Sequence, residues 1–166
     1  MSRLRPTAKF LRTLALLFSA TTVVFLDQLT KSAVIANLQP RISYDFLGSV
    51  VRLYLTYNNS AAFSMGFGIT WIFTLISTLA AMALIWYGLR VRTMGWGVLT
   101  GVALGGVAGN LFDRLTRAPG FPSGQVVDFI QIPFNFPIFN LADSAICIAA
   151  ALVVISVARG SKLGGK

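Results

Sequence analysis

The chain of 166 residues contains only five carboxylate side chains, all of them aspartates, and it contains no histidine. Four of the five lie within or beside long apolar segments, where an ionisable side chain is costly and indicates a functional site by default. Any acid–base chemistry must therefore come from few groups. The aspartates are Asp27, Asp45, Asp113, Asp128 and Asp143.

Asp128 and Asp143 are the candidate catalytic pair. Asp143 lies near the start of the last apolar segment, one helical turn after Asn140, and Asp128 lies on the preceding proline-containing loop. If that loop folds back, the two carboxylates share one proton and can activate water and polarise a carbonyl, as aspartic proteases do. The alternative is structural: Asp128 orders the loop, and Asp143 pairs with Lys31 or Arg114.

Other mechanisms have less support. Without histidine there is no Ser-His triad and no ordinary zinc site, and one cysteine, Cys147, forms neither an intramolecular disulfide nor a metal cluster. We interpret Cys147 as a buried, inert thiol. Two alternatives stay open: a magnesium site made of carboxylates and waters, and Lys31 as the base for a hydroxyl nucleophile. The candidate nucleophiles are Ser32, Ser60 and Ser64.

Polar residues in the same regions are candidates for supporting the site or binding substrate. Asp27 and Lys31 are four residues apart, which predicts an ion pair on one helix face. Asp113 and Arg114 close the third apolar segment and predict an interfacial salt-bridge network. The full set of supporting or substrate-binding candidates is Asp27, Lys31, Asn58, Gly106, Asn110, Asp113, Arg114 and Asn140.

Glycines recur at intervals of four in the third apolar segment, which predicts close approach of another helix. Gly105 and Gly106 lie near its polar end, where bare backbone could instead admit a substrate. The recurring glycines are Gly97, Gly101, Gly105 and Gly109.

Composition places the chain in a membrane. Hydrophobic residues make up 55% of it and charged residues 11%, with a mean hydropathy of +0.74, which is too apolar for an ordinary soluble domain. Because about 20 apolar residues span a bilayer, we predict an all-α polytopic protein whose single membrane-embedded domain covers residues 1–166. The first span is interpreted as a retained helix rather than a cleaved signal peptide. The predicted spans are residues 13–33, 69–89, 94–112 and 138–158.

Basic residues set the predicted orientation. Nine of them flank the spans on one side, which the positive-inside rule places in the cytoplasm together with both termini. All five aspartates then lie on the outer side, where they balance five basic residues, so the net charge of +9 reflects topology and no nucleic-acid partner is expected. The cytoplasmic set is Arg3, Arg5, Lys9, Arg12, Arg90, Arg92, Arg159, Lys162 and Lys166.

Two extracytoplasmic regions, residues 39–68 and 115–137, are too long for simple turns. Apolar and polar side chains alternate over residues 51–58, which predicts a half-buried strand. A second strand-like run over residues 126–130 is a candidate to pair with it. We therefore predict a small extracytoplasmic β-sheet on the outer membrane surface.

Five blocks of sequence, in order and spread over nearly the whole chain, resemble the lipoprotein signal peptidase family, also called signal peptidase II. One departure is Ser60, where a glycine is usual in the family. The blocks are DQLTK at 27–31, YNNSAAF at 57–63, GGVAGN and DR within 105–114, VVDFI at 126–130 and FNLAD at 139–143.

The resemblance implies an aspartic endopeptidase of the bacterial cytoplasmic (inner) membrane, with Asp128 and Asp143 catalytic near the outer leaflet. Its substrate would be a prolipoprotein, cut on the amino side of a cysteine that carries diacylglycerol. The implied partners are this substrate, membrane lipid and globomycin-type inhibitors. We expect a monomer that uses no metal or cofactor.

Two other functions are compatible with a small helical membrane protein. A four-helix proton-coupled transporter would place its key carboxylate near the bilayer midplane and would need little outer structure. A noncatalytic assembly factor would use the glycine-rich face to bind partner helices. The clustering of aspartates at one interface, beside elaborate outer loops, favours the enzyme.

Overall fold

Four long helices and a three-stranded sheet make up the described part of the computed structural model, which covers residues 6–48, 50–59 and 70–165. The helices are α1 (Pro6–Asn37), α2 (Thr70–Gly88), α3 (Met94–Thr116) and α4 (Leu141–Ala158). The strands are β1 (Ser43–Leu47), β2 (Val51–Asn58) and β3 (Val126–Gln131), and a short 3-10 turn follows at Leu163–Gly165.

Each of the four helices is long and apolar enough to cross a membrane. Large apolar side chains face outward along them, among them Phe18, Phe25 and Val154, whose exposed fractions are 72%, 63% and 65%. Such a surface is unfavourable in water and suits a lipid environment. The predicted polytopic helical membrane fold is therefore confirmed.

The helix boundaries differ from the predicted spans at their polar ends. α1 extends well beyond residues 13–33, and α3 continues past Asp113 because the polar side chains at this end are bonded inside the protein. α4 begins at Leu141 rather than at residue 138, because the Asn140 side chain caps it. The predicted start of α2, residue 69, lies outside the described residues.

The glycine-rich face of α3 packs against α1. A Cβ added at Gly97 would lie 3.0 Å from the Arg12 carbonyl oxygen, and one at Gly109 would lie 2.7 Å from Asp27 Oδ2. Gly106 faces α4 instead, where a Cβ would lie 2.5 Å from the Ala142 carbonyl oxygen. The space beside Gly106 is thus filled by α4, which leaves no room there for a substrate.

The sheet is antiparallel in the order β1-β2-β3. One of its faces covers the C-terminal end of α1 through a core of Val34, Leu55, Val127 and Phe129. The predicted strands at 51–58 and 126–130 are present and paired, whereas β1 was not predicted. Thr56 pairs with Asp128, so the register of β2 against β3 fixes the position of one candidate catalytic residue.

The side chain of Cys147 on α4 is exposed, which contradicts the expected buried thiol. In a membrane helix that is apolar on all sides, the sequence does not show which face packs on protein and which face meets lipid. The thiol therefore lies on the lipid-facing surface of the helix bundle.

Candidate active site

Asp128 lies on β3, where its carboxylate is 2% exposed. Its Oδ2 accepts a hydrogen bond from Asn58 Nδ2 at 2.8 Å and its Oδ1 accepts one from Asn140 Nδ2 at 2.7 Å. Burial raises the pKa of Asp128 to about 6 despite the Asn58 hydrogen bond, which acts in the opposite direction, and the negative charge of Asp143 adds to the increase.

Asp143 lies in the first turn of α4 and forms a capping box with Asn140. The Asp143 N–H donates to Asn140 Oδ1 at 2.9 Å, and the Asn140 N–H donates to Asp143 Oδ2 at 3.2 Å. The other carboxylate oxygen, Oδ1, accepts from Asn110 Nδ2 at 2.7 Å. Asp143 thus has hydrogen-bond partners on both carboxylate oxygens, from Asn140 and Asn110.

Asn140 brings the two candidate catalytic residues together. Its Nδ2 contacts the Asp128 carboxylate while its Oδ1 and backbone N–H contact Asp143, and it is completely buried. Across the described residues, no salt bridge joins either carboxylate to a basic side chain. The structural alternative, in which Asp143 pairs with Lys31 or Arg114, is therefore absent.

The amide of Asn110 has only one possible orientation. Its Oδ1 accepts from Lys31 Nζ at 3.0 Å and from Asn140 Nδ2 at 3.1 Å. Its Nδ2 must then point to Asp143, since an amide presents its donor and acceptor on opposite sides. The contact with Lys31 thus ensures that Asn110 presents its Nδ2 donor, and not its oxygen, to the Asp143 carboxylate.

A buried ionic network lies behind this pair. Lys31 Nζ is 2.8 Å from Asp27 Oδ2 and 2.8 Å from Asp113 Oδ2, with all three side chains fully buried. The predicted ion pair of Asp27 with Lys31 is therefore present. Because the Lys31 ammonium is held between two carboxylates, its geometry does not suit a general base for Ser32, which is exposed. Ser60 and Ser64 lie outside the described residues.

The arginine that pairs with Asp113 is Arg117, not the predicted Arg114. Arg117 Nε lies 2.6 Å from Asp113 Oδ1, because residues four apart share a helix face whereas adjacent ones do not. Arg114 points the other way, and its Nη1 donates to the Asn110 carbonyl oxygen at 3.3 Å and to Ser77 Oγ at 3.5 Å. Its buried Nε has no hydrogen-bond partner among the residues that the structure describes.

The remaining possibility left by the sequence is a metal site. Within the part of the chain that the structure describes, no three histidine, cysteine, aspartate or glutamate side chains are grouped so as to hold a metal ion. The carboxylates are instead divided between the ionic network and the amide-bonded pair.

Comparison with known proteins gives this arrangement a context. A family model described as signal peptidase (SPase) II matches residues 19–159. The chain belongs to the signal peptidase II family. It is therefore a protease of signal peptides, and its four apolar helices make it a membrane protein.

Curated relatives of this signal peptidase II are similar over most of its length. A protein named lipoprotein signal peptidase from Leifsonia xyli subsp. xyli is 44% identical over 147 residues, which are 89% of this chain and 68% of the relative. One of the same name from Rhodococcus jostii is 39% identical over 154 residues, covering 93% of this chain and 77% of the relative.

A solved bacterial membrane enzyme, determined by the in meso method at 1.9 Å resolution, has a similar structure. The TM-score is 0.77 at 27% sequence identity, and the match covers 86% of this signal peptidase II and 91% of that chain. The similarity thus extends over most of both chains.

Two polar residues of this signal peptidase II were not identified from its sequence. Arg117 has a sequence signal, its spacing of four from Asp113. Gln28 donates from Nε2 to Asp27 Oδ2 at 3.1 Å and to Asp113 Oδ1 at 3.0 Å. No local spacing predicts the contact of Gln28 with Asp113, because it joins residues of α1 and α3.

Proposed function

We propose that this protease is an aspartic endopeptidase that removes signal peptides from diacylglyceryl-modified prolipoproteins. It would cut on the amino side of the lipidated cysteine. The observation that carries the proposal is the single buried residue Asn140, whose side-chain Nδ2 donates to Asp128 and whose backbone N–H donates to Asp143. Among the described residues, neither carboxylate forms a salt bridge. Two such carboxylates cannot both ionise comfortably, so together they hold one proton.

In the proposed mechanism the shared proton lies on Asp128. Asp143 lies at a helix N-terminus, and its Oδ2 accepts a hydrogen bond from the Asn140 backbone N–H. Asp128 is deeply buried on a strand, and its pKa is raised to about 6. In the resting enzyme Asp128 is therefore the acid and Asp143 the base.

The reaction then follows aspartic-protease chemistry. Asp143 removes a proton from water as the oxygen attacks the scissile carbonyl carbon, while the Asp128 proton moves onto the carbonyl oxygen. The tetrahedral intermediate collapses when the carbon–nitrogen bond breaks and the leaving amine takes the proton held by Asp143. A proton from the intermediate returns to Asp128, which restores the starting state.

Two side chains are placed to hold the substrate. Arg114 lies on α3 and contacts Ser77 of α2. Its buried Nε has no hydrogen-bond partner among the described residues, and a substrate carbonyl oxygen would satisfy this donor. Asn58 ends β2 beside Asp128 and can align extended substrate backbone. The lipid on the substrate cysteine would fix the scissile bond at the membrane interface.

The proposed location is the bacterial cytoplasmic membrane, with both termini in the cytoplasm and the site near the outer leaflet. The positive-inside distribution supports this orientation, because the basic residues gather at the helix ends opposite the aspartates. We also propose that the enzyme acts as a monomer and is inhibited by globomycin-type compounds.

The test is cleavage by the purified chain in detergent, without any ion gradient. A diacylglyceryl-modified precursor should be cut so that mass spectrometry finds the lipidated cysteine as the new amino terminus. The matched control is the same precursor without diacylglycerol, which should be cut far more slowly. Cleavage at another bond, or proton-coupled flux in vesicles without any cleavage, would contradict the proposal and favour the transporter.

A further inference from the structure

Two aspartates outside the catalytic pair each hold the backbone immediately before a catalytic residue. Asp113 Oδ2 accepts a hydrogen bond at 3.1 Å from the N–H of Val127, which precedes Asp128. Asp27 Oδ1 accepts one at 3.0 Å from the N–H of Ala142, which precedes Asp143. The two backbone segments that carry the catalytic side chains are thus fixed by equivalent contacts from α3 and α1.

Lys31 joins these two contacts into one unit. Its ammonium group lies 2.8 Å from Asp27, 2.8 Å from Asp113 and 3.0 Å from Asn110 Oδ1. An ammonium has three N–H donors, so the three acceptors use all of them. The third contact orients Asn110 towards Asp143, so every branch of the unit ends at or next to a catalytic residue.

We propose that Lys31 is a positioning residue that sets the spacing between the Asp128 and Asp143 carboxylates. The inference rests on the proposed aspartic mechanism, since spacing matters only if the two groups act together. A buried ion network contributes little more to stability than well-packed apolar residues of similar volume. An apolar side chain at this position, in contrast, would not hold Asp27, Asp113 and Asn110 in a fixed geometry.

The test must remove the ammonium without changing the net charge of the network. The double variant Asp27→Asn/Lys31→Met does so, because the Asn side-chain oxygen still accepts from the Ala142 N–H. We expect this variant to fold and to bind the diacylglyceryl precursor with KM within about threefold of the wild type. Its kcat should fall by about 100-fold, since small displacements of catalytic groups have effects of that size.

A second double variant and a control complete the experiment. Asp113→Asn/Lys31→Met removes the same ammonium together with the charge of its other carboxylate partner. It retains an acceptor for the Val127 N–H and should show the same loss in kcat. The matched control, Asp45→Asn/Arg52→Met, removes a 3.0 Å ion pair that is exposed on the sheet. Both kcat and KM of the control should stay at wild-type values.

The outcomes separate this proposal from the proposed function. If the wild-type chain does not cleave the lipidated precursor, the proposed function fails. If the wild type cleaves and either folded double variant keeps wild-type kcat, or loses only KM, the positioning role is overturned and the function stands. Failure of both double variants to fold would assign Lys31 to folding and would also overturn the positioning role.

Discussion

Two pairs of buried aspartates lie next to each other in this protein and are compensated in different ways. Asp27 and Asp113 each lie 2.8 Å from the Lys31 ammonium, and Asp113 has a second cation in Arg117. Asp128 and Asp143 receive hydrogen bonds from amide groups of asparagine side chains and backbone, with no salt bridge among the described residues.

The charge of the hydrogen-bond donors separates the two roles. A buried carboxylate beside a cation forms an ion pair that serves structure, and removing its partner is strongly unfavourable. Two neighbouring carboxylates with neutral donors keep a proton between them and can exchange it with a substrate. In the proposed mechanism the same residue type thus supplies both the support and the chemistry, and each pair can be perturbed separately.

The largest expected effect is on catalysis by the amide-bonded pair. Asp128→Asn and Asp143→Asn should each lower kcat by at least about 10³-fold, because each removes a proton donor or acceptor of the reaction. Both variants should remain folded, because asparagine preserves size and an acceptor oxygen. Single-turnover cleavage of the lipidated precursor measures the loss, and substantial turnover by either variant would contradict the shared-proton mechanism.

The next effect is on stability through the ionic network. Lys31→Met alone leaves Asp27 and Asp113 buried with less positive charge, and it should lower the free energy of unfolding by about 3–5 kcal/mol. Thermal unfolding in detergent measures this change. Adding Asp27→Asn should restore much of the loss, and an unchanged Tm for the single variant would contradict the network's role.

The third effect is a dependence on pH at Asp128, whose pKa is raised from 3.8 to about 6. Its acid form is lost above that value, so kcat/KM should fall by about tenfold per pH unit above about 6. The folded state disfavours the ionised form of Asp128, so the contribution of this residue to stability is greatest below pH 3.8 and decreases as the pH rises towards 6.

Asp128→Asn tests the sign of that linkage. The substitution removes the ionisation, so at pH 8 it should gain up to about 3 kcal/mol relative to the wild type, and the gain should vanish near pH 4. Unfolding of both proteins across this pH range provides the measurement. A gain at pH 4 that disappears at pH 8 would reverse the assignment.

The smallest effect belongs to a carboxylate outside both pairs. Asp45→Asn breaks the exposed ion pair with Arg52, in which the two side chains are 70% and 45% exposed. Because water screens such a pair, the free energy of unfolding should change by less than about 1 kcal/mol, with no change in kcat. A larger change would mean that burial alone does not determine how much an aspartate contributes to stability.

The sequence was most informative where the periodicity of apolar residues restricts the secondary structure and where the small number of carboxylates restricts the candidate catalytic residues. Apolar segments of membrane-spanning length predicted the four helices, and alternation predicted the paired strands β2 and β3. The spacing of Asp27 and Lys31 predicted their ion pair, because helix geometry alone brings residues four apart together. With so few carboxylates, the candidates for acid–base chemistry were few from the start.

Contacts between distant segments were beyond such reasoning. The hydrogen bonds of Asp113 to the Val127 N–H and of Asp27 to the Ala142 N–H depend on how α3 and α1 meet β3 and α4. The choice of Arg117 over Arg114 required the phase of α3 relative to its neighbours. The pairing of β1 and the lipid exposure of Cys147 likewise follow from tertiary packing.

Infrared difference spectroscopy of the carboxylic acid C=O stretch tests the central claim most directly, in a detergent without ester groups. The chain suits this measurement because it has only five side-chain carboxylates. We predict a band from one protonated buried carboxyl that disappears with a midpoint near pH 6 in the wild type and is missing in Asp128→Asn. A band that persists unchanged in Asp128→Asn, or no such band in the wild type at pH 5, would contradict the proton shared by Asp128 and Asp143.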